Sequence, residues 1–344
     1  METKIKPITT ESLREAKALI FSGDVVAIPT ETVYGLGGNA FDDEAVKKIF
    51  AVKGRPNNNP LIAHVHQDYD LSQIIDFDPP YAKLLRKAFL PGPLTLVYPS
   101  TGKVSPFVSC GLNTLAVRMP SHAGAQAFLK EVGVPIVAPS ANLSRHVSPT
   151  SAKHVFDDFN GKISLILDGG ECQGGIESTV CDCTGEIPVI LRSGLITREM
   201  IEKVVGVCEE YTPDFKNGEK VKSPGVLYKH YAPRCKTMLF SSENVKNAIS
   251  AYVAESLENK GIAVLCEEKR ISEFEKVGAK CLNLGKNQAE MAMRLYKLLR
   301  EAETLCELLI VVEPSEKDGI MVGVLNRLRK ACTSKDETQE QTKA

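Results

Sequence analysis

Pro29-Thr30-Glu31-Thr32-Val33-Tyr34-Gly35-Leu36-Gly37 follows directly on the apolar run Val25-Val26-Ala27-Ile28, and this junction decides how the chain reads. A short continuous apolar run is the pattern of a buried strand. Pro29 ends it. Thr30, Glu31 and Thr32 then present two hydroxyls and a carboxylate just past the strand end, and Gly35, Gly37 and Gly38 follow. Glycines so dense permit unusual backbone angles and close approach of a ligand to the main chain. A helix from about Asp43 to Val52 comes next, with Ala45, Val46, Ile49 and Phe50 on one face. It delivers Lys53 and Arg55 at its C-terminal end. Two cations one residue apart, between Gly54 and Pro56, suit a polyanion such as a triphosphate. The bland alternatives are a plain strand-end turn and two cations that oppose a helix dipole.

Outward from this centre, Thr10 reads as the cap of a helix through about Phe21. Strands are expected at Leu61–Val65, Leu94–Tyr98, Asn113–Arg118, Gly133–Pro139, Ile163–Leu167 and Val189–Gly194, the last of the first domain. A helix spans about Tyr81 to Phe89, and another closes the domain near Val205. On the strand ending at Arg118, alternation puts Thr114, Ala116 and Arg118 on one face. Arg118 either reaches a carboxylate at the sheet's edge or lies at the surface. His64 follows an apolar run and reads first as a packed or solvated residue. Ser140-Ala141-Asn142 comes straight after a strand, where short polar residues often line a site.

Domain organisation follows from composition. At 344 residues two domains are the first expectation. Residues 1–208 form the first. Residues 209–235 are a linker whose second half, Ser223-Pro224-Gly225-Val226-Leu227-Tyr228-Lys229-His230-Tyr231-Ala232-Pro233, is aromatic enough to act as a lid. Strand–helix alternation over 236–332 argues a small parallel α/β domain. The tail 333–344 is expected to be disordered. Net charge is −1, so no global basic field draws the chain to nucleic acid or anionic lipid. No apolar run approaches a membrane span, and the first residues lack an apolar signal core. Ten cysteines without a Cys-x-x-Cys pair read as reduced core thiols of a cytoplasmic protein.

Several chemistries lack their motifs. There is no Gly-x-Ser-x-Gly elbow and no Walker-type phosphate loop, and Gly35-Leu36-Gly37 lacks the third glycine of a dinucleotide fingerprint. Hydroxyls, glycines, amides and cations at strand ends remain. These bind and orient anions, and their natural use is catalysis by positioning and charge neutralisation.

Lys53-x-Arg55 together with Ser140-x-Asn142 closely resembles the Lys-x-Arg…Ser-x-Asn signature of the YrdC family of threonylcarbamoyl-adenylate synthases. The Ser223–Pro233 segment resembles that of the family's long members, and Leu325-Asn326-Arg327-Leu328-Arg329-Lys330-Ala331 its C-terminal signature. Only the tail falls outside the resemblance. Asn57-Asn58 stands where the family commonly has Ser-Asp.

The resemblance implies a twisted mixed sheet with flanking helices, followed by a smaller Rossmann-like parallel α/β domain. It implies a nucleotidyltransferase that joins L-threonine, bicarbonate and ATP into threonylcarbamoyl-AMP with release of pyrophosphate. A separate tRNA threonylcarbamoyl transferase complex then uses the product, so direct tRNA binding is not required. Thr32, His64, Arg118, Ala138 and Ser178 would hold threonine, Ala138 through its backbone. Arg55, Asn59, Thr114, Ser140, Asn142, Ser148, Arg192 and Tyr231 would hold ATP. Lys53 and Arg55 would be catalytic, with Lys53 neutralising charge near the reacting centre. Mg2+ is expected with ATP, without a protein-ligated metal. Two other classes are an RNA-binding module and a carbamoyl-transferring maturation factor with a YrdC-like domain.

Overall fold

The computed structural model describes residues 2–57, 59–211, 231–258 and 261–332. Asn58, most of the expected lid including Tyr228, and the tail from Thr333 lie outside the described residues. Two units result, one from residues 1–144 and 148–228, the other from 145–147 and 229–344.

The first unit runs β1 (Lys4–Pro7), α1 (Thr10–Phe21), β2 (Val26–Ile28), β3 (Gly35–Asn39), α2 (Asp43–Lys53), β4 (Ile62–His64), α3 (Pro80–Phe89), β5 (Leu94–Pro99) and α4 (Pro106–Ser109). It continues with β6 (Thr114–Arg118), α5 (Ala123–Val132), β7 (Ile136–Val137), α6 (Ala152–Phe159), β8 (Leu165–Asp168), β9 (Thr179–Asp182), β10 (Val189–Arg192), α7 (Arg198–Val205) and β11 (Glu209–Glu210). Among the described residues its strands form one mixed sheet in the order β1-β8-β2-β3-β7-β4-β6-β5-β9-β10-β11.

Three details correct the sequence reading. Thr9 rather than Thr10 caps α1: its hydroxyl accepts from Ser12 N at 3.2 Å, and Ser12 Oγ accepts from Thr9 N at 2.9 Å. Glu209 and Glu210, expected to begin the linker, extend the sheet beyond β10. The glycines after Val33 are a strand, β3, paired with β2 and β7, rather than a ligand-facing loop. Their reason is packing, since a Cβ on Gly37 would lie 2.8 Å from Ile136 Cγ2. A strand of glycines carries no apolar alternation, so periodicity does not mark it.

The two faces of this sheet differ. One buries Ala27, Leu36, Ala63, Leu96, Leu115 and Val117 against α2, α3, α6 and α7 in the main core. On the other, α1 and α5 pack on Val26, Ile28, Ile136, Leu165 and Leu167. Beyond β7 that second face holds a smaller apolar cluster of Ile62, Val97, Ala116, Val180 and Leu191, with polar residues at its edge.

The second unit is regular. It runs β12 (Lys236–Phe240), α8 (Val245–Ser256), β13 (Ile262–Cys266), α9 (Ile271–Glu275), β14 (Lys280–Asn283), α10 (Gln288–Leu305), β15 (Leu308–Val312) and α11 (Ile320–Ala331). Its sheet, β12-β15-β13-β14, is entirely parallel. This is the small parallel domain that the alternation predicts.

Candidate active site

Strand register builds the centre of the site. His64 on β4 lies opposite Ile136 on β7 and Arg118 on β6, and Arg118 lies opposite Thr95 on β5. Thr95 in turn pairs with Val180 on β9, so one row crosses five strands. Cross-strand neighbours share a face. The row therefore presents His64, Arg118 and Thr95 together, on the face that α1 and α5 cover at the other end of the sheet.

Arg118 is 4% exposed. Its Nη1 donates to Thr32 Oγ1 at 2.8 Å, Nη2 to Glu31 Oε1 at 2.6 Å and Nε to Gly92 O at 3.3 Å. A guanidinium carries five N–H donors. Two of them have no partner among the described residues, in a position walled off from bulk water. Burial and the nearby Arg118 charge depress the His64 pKa to about 3, so the imidazole is neutral at physiological pH. Its Nδ1 lies 3.1 Å from Ile62 O. A carbonyl only accepts, so this contact favours a proton on Nδ1.

Ser178 sits just ahead of β9 and is fully buried. Its Oγ lies 2.8 Å from Thr95 Oγ1 and accepts from Arg192 Nη2 at 3.2 Å. Arg192 also donates from Nε and Nη2 to Ser178 O at 3.1 and 3.0 Å. Thr32 is fully buried, 2.9 Å from Thr30 Oγ1. Ala138 follows β7 and donates its N–H to Ile62 O at 3.1 Å. Of the five residues expected around threonine, His64, Arg118, Ala138 and Ser178 thus fall at the ends of β4, β6, β7 and β9, and Thr32 falls in the bend between β2 and β3.

The signature residues meet as well. Lys53 ends α2 because Gly54 takes the left-handed conformation, φ 59. The Lys53 ammonium, 2% exposed, donates to Ser140 O and to Asn142 O, the latter at 2.6 Å. Ser144 N returns a bond to Lys53 O at 2.8 Å. The Lys-x-Arg turn and the Ser-x-Asn loop are thereby tied together. Arg55 is half-buried and donates from Nη2 to Asn59 O at 3.2 Å. Asn59 is buried, and its Oδ1 has no partner among the described residues. Thr114 opens β6 on the Arg118 face. Ser148 is fully buried and donates to Glu177 Oε1 at 2.8 Å. Tyr231 belongs to the second unit, where it adopts φ 70 and its ring centroid lies 5.2 Å from that of Tyr296.

Glu31, Thr95 and Glu177 are the partners that the sequence reading left without a site role. Each had a local signal. Glu31 lies inside the opening stretch, Thr95 is the polar residue of an apolar strand, and Glu177 adjoins Ser178. Burial pushes the Cys172 thiol up to about 12, so it stays protonated and is no nucleophile at neutral pH. All ten cysteines are free thiols.

A family profile for Sua5, YciO and YrdC proteins, described as "Telomere recombination", matches residues 18–194, and one described as "Threonylcarbamoyl-AMP synthase, C-terminal domain" matches residues 196–333. The chain belongs to the Sua5/YciO/YrdC family. It is 42% identical over 323 residues to a Pyrococcus abyssi protein named threonylcarbamoyl-AMP synthase, covering 93% of each chain. To the Bacillus subtilis protein of the same name it is 41% identical over 325 residues, covering 93% of this chain and 92% of that one. The crystal structure of P. abyssi Sua5 complexed with L-threonine superposes with a TM-score of 0.86 at 38% identity, covering 96% of each chain. Among the described residues of this family member, no helix is long and apolar enough to cross a membrane.

Proposed function

We propose that this Sua5/YciO/YrdC protein is a cytoplasmic threonylcarbamoyl-AMP synthase. It joins L-threonine and bicarbonate and transfers the adenylyl group of ATP to the carbamate, releasing pyrophosphate. Its product serves a separate tRNA-modifying transferase. The observation that carries this reading is Arg118, buried opposite a neutral histidine with two N–H donors uncommitted. That is the planar recognition an amino-acid carboxylate needs. Thr32 and Ser178 supply hydroxyls around the same guanidinium, His64 adds an uncharged polar group, and the backbone at Ala138 completes the amino-acid subsite.

On the nucleotide side, Arg55, Thr114, Ser140, Asn142, Ser148 and Arg192 would hold ATP. The buried Asn59 Oδ1 suits a donor on the nucleotide. ATP would enter as its Mg2+ complex. Lys53 acts through the Ser140–Asn142 loop, whose carbonyls it holds. The described site residues bind and orient rather than attack, so the reaction would proceed by alignment of the threonine nitrogen, the bicarbonate carbon and the α-phosphorus.

Pyrophosphate release tests this. It should require L-threonine and bicarbonate together. Serine, which lacks the methyl contact, should be poorer by about 1 kcal/mol. Equal turnover with alanine or valine would overturn the assignment.

A further inference from the structure

We propose that Glu31 is the ammonium-binding group of the amino-acid subsite, so that the Glu31–Arg118 pair reads its substrate as a zwitterion. This rests on the reading that the subsite takes an amino acid.

Glu31 lies against Arg118 at 2.6 Å, with side chains 14% and 4% exposed. It is held in place from three directions. Arg118 Nη2 donates to Oε1, Ser121 N donates to Oε2 at 3.1 Å, and Gly174 N donates to the Glu31 carbonyl at 2.7 Å. Each carboxylate oxygen has two lone pairs, and each uses one here. Among the described residues, both oxygens therefore keep an acceptor position, beside a guanidinium that keeps two donors.

Charge decides which ligand fits. Glu31 and Arg118 together are neutral. A bare carboxylate placed on Arg118 leaves this buried pair with a net negative charge, and a bare ammonium leaves it positive. Excess charge away from water is costly. A zwitterion adds both signs and keeps the balance. Its two ends are also close enough, because the nitrogen and carboxyl carbon of an α-amino acid are about 2.5 Å apart across one tetrahedral carbon. Adjacent Glu and Arg side chains match that spacing. His64 is uncharged and does not alter the count.

The test is calorimetric binding to the full chain without ATP. The ligands are L-threonine, 3-hydroxybutanoate (threonine without its amino group) and threoninol (threonine without its carboxylate). Wild-type protein should prefer threonine to either analogue. Glu31→Gln keeps the shape but removes the charge. It should weaken threonine about tenfold to a hundredfold and leave 3-hydroxybutanoate unchanged or tighter. Glu31→Asp, which keeps the charge, should preserve the preference for threonine over 3-hydroxybutanoate. If Glu31 only holds Arg118 in place, Glu31→Gln weakens both carboxylates by the same factor, and the proposal is overturned. If wild-type protein binds no threonine, the amino-acid subsite itself fails, and this assignment falls with it.

Discussion

Arg118 and Lys53 are both buried cations of the first unit, 4% and 2% exposed, and they are held in opposite ways. Arg118 meets the side chains of Glu31 and Thr32 and keeps two donors uncommitted. Lys53 turns its ammonium onto the backbone carbonyls of Ser140 and Asn142. A cation bonded to side chains at a strand end is placed to exchange or share partners with a ligand. A cation bonded to carbonyls of a neighbouring loop fixes that loop's path. On the proposed reading, the same charge would define an amino-acid subsite in one place and shape a nucleotide subsite in the other.

Removing each cation should separate the two roles. Arg118→Ala leaves Glu31 without its counterion and should cost about 3–5 kcal/mol of stability. Threonine binding should vanish while ATP still protects the protein in thermal unfolding. Retained threonine affinity would break the contrast. Lys53→Met should cost about 2–3 kcal/mol by denaturant titration, since two carbonyls lose charge-assisted bonds. It should weaken threonine and ATP together. A turnover defect at unchanged stability and affinity would instead place Lys53 at the reacting centre. Arg55→Ala, at the half-buried residue beyond Gly54, should weaken ATP by about 1.5–3 kcal/mol with threonine affinity intact.

The pH response sharpens the amino-acid side. The folded-state pKa of His64, about 3, lies below its usual 6.5. Between these values the unfolded chain binds a proton that the folded chain refuses. The contribution is fully present above about pH 6.5 and is lost progressively as pH falls toward about 3. His64→Asn should therefore lose less stability than wild type over that window. Parallel curves would show that the ring protonates without penalty. The smallest effect expected is Ser178→Ala, about 1 kcal/mol in threonine affinity, because Arg192 keeps the Ser178 carbonyl as its partner.

The sheet of the second unit was readable because its signals are local. Central strands such as Leu308–Val312 are continuous apolar runs followed by helical patterns, which is what a parallel βα unit needs, while the edge strand β14, Lys280–Asn283, has no such run and was not legible. In the first unit, β6 was equally plain. Its alternation places Thr114, Ala116 and Arg118 together, with Leu115 and Val117 in the core. The glycine strand β3 and the polar edge strands β1 and β11 were not, since exposed or glycine-rich pairing leaves no apolar period.

The sequence by itself determined the two-part architecture, the strand ends that carry polar groups and the signature that links Lys53, Arg55, Ser140 and Asn142 to a family. Which groups meet was decided only in three dimensions. Glu31 and Arg118 are 87 residues apart, and so are Lys53 and Ser140, while Thr95 and Ser178 are 83 apart. A mixed sheet in which β4 joins β6 and β7, and β5 joins β9, sets those meetings through long-range register. Register depends on how whole faces bury their apolar residues, and a one-residue slip would turn Arg118 into the core. That choice is made by packing over the entire sheet, which no local stretch encodes.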